Sequence, residues 1–449
     1  MFGETQPMQP HLERTPIAAW VALGLLMVLY LLSYLDKQMM ALLLDLIATD
    51  LKLSDTKMGV LSGLAFSLTY SVGVLATGWA VDRYSARWII FFGVILWSLA
   101  AAAGGLVDSF EGLFASRALV GLGEAALPPA AIAILATVFP RHRLSLASGI
   151  YHAGANIGGL IALGVGGAAI GALVAGGGHD FPLIGHANPW QSAFILTGLP
   201  GLALAFLVFG IRSRSMTPGV ARPGKAKSSL FGYLGEHKRF FTCYYLAIAM
   251  LGIVSYTLIA WSPAYFGRAF NLSHTAIGVS VGAGVAAGGV GNILWGATAS
   301  MLHRRGYEDA IFRVFAFATA IGIPLSIITF VFADAQQAIV LYALTYVFIS
   351  SWGSFIAALQ LAIPDDLRGR TTAIQIMLVG LVGIGLAPLV VGWITDHVFG
   401  DKQYLGQSIA LTTSVAGGIA VCAMLIGRGA FIRIVAGQVS ARAEPAQSA

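Results

Sequence analysis

Long runs of apolar residues follow one another along almost the whole chain, and short polar stretches separate them. Each run is near or above the roughly 20 residues that an α-helix needs to cross the hydrocarbon core of a bilayer. Twelve such runs can be placed, six on either side of one long polar break. The predicted spans are 16–44, 56–81, 88–107, 112–138, 145–174, 191–211, 241–266, 275–301, 310–332, 338–363, 371–398 and 404–426.

The polar break covers residues 212–240 and has a different composition. It contains Pro218, Pro223, several Gly and Ser residues and seven bases, which is typical of a solvated linker between two bundles. The pattern therefore predicts an all-α membrane protein with a six-helix bundle in 1–211 and a cytoplasmic basic linker in 212–240. A second six-helix bundle with a short cytoplasmic tail occupies 241–449.

Composition and charge agree with a membrane protein. Of the 449 residues, 57% are hydrophobic and only 10% are charged, whereas soluble domains carry about 25% charged residues. The net charge of +6 does not indicate nucleic-acid binding, because the bases lie in short loops between apolar runs. Twenty of the 26 Lys and Arg residues fall on one side of the predicted spans. This asymmetry predicts a membrane protein with both termini and the linker in the cytoplasm.

Charged residues inside the predicted spans are confined to the first half. They are Asp36 and Lys37 on the first helix, and Arg117 and Glu124 on the fourth. A charge in the hydrocarbon region is costly unless it faces a bundle interior or a water-filled cavity, so such a residue suggests a function. The second half has only neutral polar candidates at comparable depth.

The chemistry of these four residues suggests proton coupling. Desolvation raises the pKa of a carboxyl group, whereas a nearby guanidinium lowers it. A carboxylate whose distance to Arg117 changes with conformation would therefore take up and release a proton. We expect Asp36 to be the main proton site, with Arg117 as its modulator and Glu124 as a second acid that competes for Arg117. A static ion-pair network that fixes helix packing remains the alternative.

Glycines recur in the predicted fifth, eighth and eleventh helices. Small residues spaced by about four positions let helix backbones approach closely. Because the pattern occurs at corresponding places in both halves, we expect a surface along which two bundles move against each other. Tight static packing is the simpler interpretation.

Three short motifs resemble those of a known family. Residues 78–87 read GWAVDRYSAR, similar to the cytoplasmic Gly-x-x-x-Asp-Arg-x-Gly-Arg-Arg signature of the major facilitator superfamily. Residues 117–125, RALVGLGEA, resemble its helix-four motif. Residues 33–38, SYLDKQ, resemble the helix-one motif of its Spinster-type transporters, which usually reads Asn-Tyr-x-Asp-Arg. The best match within the superfamily is the bacterial Spinster-like branch. Together with the short loops, this resemblance implies a protein of the bacterial inner membrane.

The resemblance implies specific roles. Gly78, Asp82, Arg83 and Arg87 would form a cytoplasmic latch that holds one state closed. The acid on helix one and the Arg on helix four would handle protons, and the substrate would be a lysolipid or a sphingosine-1-phosphate-type lipid. Lys37 departs from the family, because a lysine keeps the charge of the usual Arg but loses its rigid bidentate fork.

The chain is therefore expected to be a proton-coupled secondary transporter that works by alternating access. An amphipathic lipid would place its polar head near Lys37 and Arg117 and its tail against the uncharged half. The alternative substrates are small organic anions or drugs. The expected lining residues of the second half are Tyr256, Trp261, Trp352, Phe355, Gln360 and Met377.

Other classes of protein fit the chain less well. An enzyme would need a nucleophile–base pair or a set of metal ligands, and no such spacing is present. A channel would be expected to show rings of like groups along a pore. We expect no cofactor other than the coupling protons, no metal site and no nucleic-acid partner. Membrane lipids would be its only other partners, and we expect a monomer.

Overall fold

The computed structural model describes residues 16–211, 229–349, 352–364 and 367–443, and its architecture is almost entirely helical. In the first half, six helices correspond to the six predicted spans. They are α1 (Ile17–Asp50), α2 (Asp55–Val81), α3 (Ala86–Gly104), α4 (Phe110–Val138), α5 (Arg141–Ile161, continuing through Ala162–Gly166 to Gly167–Ala175) and α6 (Pro189–Gly210).

The second half repeats this arrangement after a short additional helix. Its helices are α7 (Leu230–Glu236), α8 (Lys238–Phe270), α9 (His274–Arg304), α10 (Ala310–Phe332), α11 (Ala335–Ile349), α12 (Trp352–Ala362), α13 (Arg368–Phe399) and α14 (Leu405–Ala443). The tenth predicted span corresponds to α11 and α12 together. Across the described residues, eleven helices are long and apolar enough to cross a membrane, and α11 is a shorter apolar helix. The prediction of a twelve-span, two-bundle fold is confirmed.

The predicted linker lies partly outside the described residues, which resume at position 229. From there the chain is helical, because α7 and the first turn of α8 occupy the end of the 212–240 segment. The Ser229 hydroxyl caps α7 by accepting a hydrogen bond from the Gly232 amide.

A small β-hairpin that the apolar pattern did not predict connects α5 and α6. Strand β1 (His179–Phe181) pairs antiparallel with β2 (Gly185–Ala187), and Phe181 lies opposite Gly185. Gly185 has a φ of +84°, a backbone conformation that residues with a Cβ rarely adopt. The hairpin carries Leu183, whose side chain is 99% exposed.

The two halves meet closely at one end of the molecule, where α1 ends and α2 begins; we call it the closed end. A single apolar core of buried residues joins the halves there, with Leu43 and Ile47 of α1 packed into the same cluster as Leu258 and Phe266 of α8. Further buried clusters lie within the first half and within the second half. We call the opposite end, which carries Arg83 and Arg304, the open end.

Glycine-mediated helix crossings bring the halves together toward the closed end. A Cβ on Gly63 of α2 would lie 2.4 Å from the Gly385 carbonyl oxygen of α13. A Cβ on Gly278 of α9 would lie 2.0 Å from the Leu163 carbonyl oxygen of α5. These separations are too short for any side chain, so the close approach requires glycine. Each crossing joins two helix segments. Three of these four segments have the wider turns of a π-helix, namely residues 60–64 of α2, 162–166 of α5 and 379–386 of α13.

Candidate functional site

The four intramembrane charges form two ion pairs between α1 and α4. Arg117 Nη2 contacts Asp36 Oδ2, and Lys37 Nζ lies 2.5 Å from Glu124 Oε2. Arg117 and Glu124 lie seven residues apart on α4, which is about two helical turns and places both on one face. Asp36 and Lys37 are adjacent on α1, so each points to a different member of that face. The site is thus neutral as a whole.

This arrangement corrects the expectation that Asp36 and Glu124 compete for one guanidinium. Each carboxylate has its own cation, because neighbouring positions on α1 diverge by about 100° and reach different turns of α4. Ser33, one turn before Lys37, completes the second pair. Its hydroxyl donates to Glu124 Oε2 at 2.7 Å and accepts from Lys37 Nζ at 3.1 Å.

The two pairs differ in their access to water. The side chains of Arg117 and Asp36 are 3% and 7% exposed, so this pair is almost sealed. Glu124 is fully buried, but the side chain of Lys37 is 26% exposed. Lys37 is therefore the charged group that solvent or a ligand reaches first.

Each carboxylate also has one oxygen that is not engaged. Asp36 Oδ1 and Glu124 Oε1 are buried and have no hydrogen-bond partner among the residues that the structure describes. A buried carboxylate oxygen without a hydrogen-bond donor carries a desolvation cost. Each acid thus makes its ion pair through one oxygen and leaves the other oxygen unsatisfied.

Aromatic rings surround the Lys37 ammonium group. Its nitrogen lies 5.2 Å from the ring centroid of Tyr34, 5.0 Å from that of Phe66 and 5.5 Å from that of Tyr70. Each ring is within the range of a cation–π interaction, which contributes about 2 kcal/mol when the cation is desolvated. The rings stabilise a charge on Lys37 whether or not Glu124 is ionised.

A central cavity opens directly onto these residues and encloses about 1090 Å³ of empty space, its open mouth included. Its wall from the first half is polar and aromatic. Its wall from the second half carries no charge. The first wall includes Tyr30, Ser33, Tyr34, Lys37, Gln38, Phe66, Tyr70, Arg117 and Glu124, and the second consists of Tyr256, Ile259, Ala260, Ile384 and Pro388.

Of the predicted lining residues in the second half, Tyr256 lies in the cavity wall. Trp261 lies behind it, fully buried, and donates its indole N–H to the Pro388 carbonyl at 3.0 Å. Phe355 is buried in an aromatic cluster, where its ring stacks on Tyr244 at 4.9 Å between centroids. In this conformation both side chains are packing groups.

Gln360 and Met377 also lie away from this wall. Gln360 donates to the Thr372 hydroxyl at 2.9 Å and ties α12 to α13. The Met377 side chain is 36% exposed on α13 and is absent from the cavity wall. The side chain of Trp352 lies outside the part of the chain that the structure describes. Helices that are apolar all round do not reveal from sequence which face meets the cavity.

The predicted latch residues lie at the open end, and the two arginines among them bind groups of the first half. Arg83 donates to the Trp79 carbonyl and its guanidinium lies 4.1 Å from the centroid of the Trp79 ring. Arg87 donates to the carbonyl of Ile211 at 3.2 Å. Asp82 is exposed and has no ion-pair partner within the described ranges, and a Cβ on Gly78 would meet no atom within 4 Å. The latch role stays a prediction.

The closed end has polar contacts between the halves that sequence reasoning missed. Arg268, at the end of α8, donates to Asp45 of α1 at 2.6 Å and to Asp55 of α2 at 2.6 Å. Asp55 is fully buried and Arg268 is 17% exposed, so the cluster is largely shielded from water. Arg268 lies two residues beyond the predicted span 241–266, so its sequence context gave no signal of this contact.

A second contact of the same kind lies beside it. Asp396 of α13 accepts from the Thr56 amide at 2.7 Å and from the Thr56 hydroxyl at 2.6 Å. It thereby caps the first turn of α2, a helix of the other half, where the helix dipole favours a negative charge. Lys402 Nζ also donates to the Leu53 carbonyl at 3.2 Å. The closed end is thus held by directional contacts as well as by apolar packing.

The described residues contain no group of three or more His, Cys, Asp or Glu side chains that could hold a metal ion.

Comparison with known proteins agrees with this geometry. Residues 26–388 match the model of the Major Facilitator Superfamily, which covers most of both helical halves. The chain belongs to this superfamily of membrane transporters. A member described as an MFS-type efflux pump, from Mycolicibacterium smegmatis, is 29% identical over 89% of this chain and 91% of that protein. The hexuronate transporter of Bacillus subtilis is 25% identical over 86% of this chain and 90% of its own length.

The fold is also similar to that of a solved transporter. The solved protein is a bacterial homologue of the human lysosomal transporter Spinster, crystallised in an inward-facing and unoccupied conformation. The two structures superpose with a TM-score of 0.76 at 21% sequence identity, covering 94% of this chain and 98% of the other. This likeness concerns the fold, and it agrees with the resemblance seen in the helix-one motif.

Proposed function

We propose that this transporter couples the movement of an amphipathic anion to protons by alternating access. A lysophospholipid or a sphingosine-1-phosphate-like molecule fits the proposal best. The observation that carries it is the asymmetry of the central cavity. Lys37, Glu124, Arg117 and several hydroxyl groups line one wall, whereas the wall from the second half is uncharged. A molecule with a charged head and an apolar tail matches both walls at once.

The charges supply the coupling. With both acids ionised the four charges cancel, and Lys37 is already occupied by Glu124. A proton on Glu124 removes that partner and leaves Lys37 as a cation between aromatic rings, ready to bind an anionic head group. Once the anion leaves, Glu124 can lose its proton and pair with Lys37 again. In this scheme Asp36 and Arg117, which are nearly sealed, form a second proton site whose pairing changes when the helices move.

The contacts between the halves support alternating access. The closed end is held by Arg268 and Asp396, whereas the latch arginines at the opposite end bind groups of the first half. The excess of bases at the open end supports a cytoplasmic position for this end, and the proposal therefore treats the structure as an inward-facing state. The reverse state requires the closed-end contacts to break and the latch to engage.

A second candidate is a proton-coupled carrier of small organic anions, or of drugs. The full-length similarity to a hexuronate transporter and to an efflux pump favours it. Such substrates would use the same release of Lys37 by Glu124 but would not need the apolar wall. The two candidates therefore differ in their dependence on the side chains of the second half.

Flux measurements in proteoliposomes test the proposal. A labelled lysophospholipid, sphingosine 1-phosphate, a hexuronate and a cationic drug are offered with and without a pH gradient. We expect saturable, gradient-driven transport of the amphipathic anions, and transport of the hexuronate alone would favour the second candidate. Equal flux with and without the gradient for every compound would contradict proton coupling.

Two variants separate the proposed proton sites. Glu124→Gln should still bind the anion but should lose the dependence on the pH gradient, because Lys37 is then permanently available. Asp36→Asn should also uncouple transport, and we expect it to lower stability by about 3–5 kcal/mol because Arg117 is left buried without a partner. Glu111→Gln, an exposed acid in the first turn of α4, is the matched control. If Asp36→Asn still accumulates substrate in response to pH, Asp36 is not a proton site.

A further inference from the structure

A basic groove lies at the open end of the second half, far from the central cavity. It forms where α7 meets α8 and where α14 passes beside them. Three exposed bases from two distant parts of the chain meet there, Lys238 and Arg239 from the start of α8 and Arg433 from α14. Its floor is apolar, since Phe240, Ala430 and Ile434 are buried.

The bases of the groove are not neutralised by the protein. Within the described residues, neither Lys238, Arg239 nor Arg433 forms an ion pair, and Glu236 is the single acid in the lining. Arg428, slightly more than one turn before Arg433 on α14, shows the contrast, because Asp309 pairs with it. A groove with three unpaired bases attracts an anion more strongly than a surface whose bases are paired with acids, as Arg428 is.

The surroundings indicate the class of anion. The same two helices expose Leu246 on α8 and Leu425 and Ile426 on α14, all of them 41% exposed or more. These residues lie seven or eight positions from the bases, or about 10–12 Å along each helix. Phe231 of the neighbouring helix α7 is 83% exposed. The groove therefore lies at the polar edge of a surface suited to acyl chains.

We propose that this groove binds the phosphate head group of an anionic membrane phospholipid, with the acyl chains lying along α8 and α14. The groove offers three unpaired bases to a charged head group, and the apolar side chains of α8 and α14 lie within one lipid length of these bases. Juxtamembrane bases interact with anionic lipids at about 1 kcal/mol each. A bound lipid would fasten the start of the second half to α14 and stabilise the open end.

Thermal unfolding of the full-length protein in neutral detergent tests the proposal. Phosphatidylglycerol is compared with phosphatidylcholine of the same chain length, and glycerol 3-phosphate is added separately. We expect phosphatidylglycerol to raise the Tm by several degrees more than phosphatidylcholine does. Lys238→Gln/Arg433→Gln should lose most of this difference. Arg304→Gln/Arg305→Gln, which removes the same charge from exposed bases at the same end, should keep it.

The other outcomes contradict the proposal. Equal losses in both double variants would mean that the lipid responds to overall charge and not to the groove. Equal protection by glycerol 3-phosphate would mean that the groove binds free phosphate compounds. Lys37→Gln distinguishes lipid binding in the groove from lipid binding in the central cavity. In this variant phosphatidylglycerol must still raise the Tm more than phosphatidylcholine does. If Lys238→Gln/Arg433→Gln does not fold, the single variant Arg433→Gln and native mass spectrometry of retained lipid provide the same comparison.

Discussion

At the scale of single residues, the two carboxylates of the site have different surroundings although both are buried. Glu124 is tied to Lys37 and Ser33 at the edge of the cavity, whereas Asp36 is tied to Arg117 behind it. A ligand in the cavity reaches Lys37 before it reaches Arg117. The pair at the cavity edge is therefore suited to exchange with substrate, and the sealed pair is suited to respond to helix movement.

Lys37 should govern the affinity for anions. Lys37→Gln removes the exposed cation of the site, and we expect anionic substrates to bind about 10–100-fold more weakly, since a hydrogen bond to a charged group contributes about 1.5–3 kcal/mol. Lys37→Arg keeps the charge and should retain binding. Equilibrium binding of the purified variants measures both. An unchanged affinity in Lys37→Gln would exclude a direct contact between Lys37 and the anion.

Sequence alone could identify these residues but not pair them. A charge within an apolar run is visible at once, and adjacent positions on a helix must diverge. The rotation of α1 relative to α4 is set by packing along their whole length, and no local pattern encodes it. Ser33 and Phe66 were missed for the same reason, because their role depends on where Lys37 points.

At the scale of the helices, the glycine pattern gains a definite location. Gly278 meets the backbone of α5 and Gly63 meets that of α13, so two crossings between the halves depend on the absence of a side chain. These crossings lie toward the closed end, with π-helical turns in three of the four helix segments. The expectation that glycines line a moving surface stays a prediction, although they do line the contact between the halves.

Gly278→Ala should separate α9 from α5 and disturb the closed end. Overpacking of this kind costs about 1–3 kcal/mol, so we expect a lower thermal stability and a transport rate reduced about tenfold. Gly289→Ala on the same helix is the control, because a Cβ there meets no atom within 4 Å. Equal effects of the two substitutions would indicate a general loss of helix flexibility.

Arg268 should hold the closed end shut. Arg268→Gln leaves Asp45 and Asp55 close together without a cation, so we expect the outward-facing state to become more populated.

Cysteine labelling measures this change. In a background with Cys243→Ser and Cys422→Ser, Ser62→Cys reports from the cavity wall. An impermeant maleimide added to intact cells should label it at least several-fold faster in Arg268→Gln. Lys57→Gln, which alters an exposed base at the same end, should leave the rate unchanged, and equally slow labelling in both variants would argue against this role.

At the scale of the whole molecule, the bases and the contacts between halves are distributed in opposite ways. The open end carries most of the exposed bases, whereas the closed end carries the ion pairs that join the halves. Together with the positive-inside rule, this distribution predicts that the open end faces the cytoplasm.

Site-directed labelling tests this orientation. In the same cysteine-free background, Leu183→Cys lies on the exposed hairpin of the closed end and Arg304→Cys lies at the open end. We expect an impermeant maleimide to label Leu183→Cys in intact cells and Arg304→Cys only after the cells are broken. The reverse pattern would invert the proposed topology.

The number of spans was predictable because the bilayer fixes the length of a helix and the apolar runs report it directly. The hairpin between α5 and α6 was not predictable, since two strands of three residues each leave no periodic signal in a Gly-rich loop. The lining of the second half was largely missed, as Trp261 and Phe355 show, because aromatic residues on an apolar helix serve packing as well as they serve a ligand.

The balance of charge in the central site has an electrical consequence. The charges of Asp36, Lys37, Arg117 and Glu124 sum to zero when all four are ionised, and a proton on Glu124 together with one monovalent anion keeps the sum at zero while Asp36 stays ionised. The loaded and empty carriers then cross with the same charge, so a membrane potential performs no work on either. A divalent or a neutral substrate would break this symmetry, at about 2.3 kcal/mol per charge for each 100 mV. The current across a voltage-clamped bilayer would thus report the valence of the substrate before its identity is known.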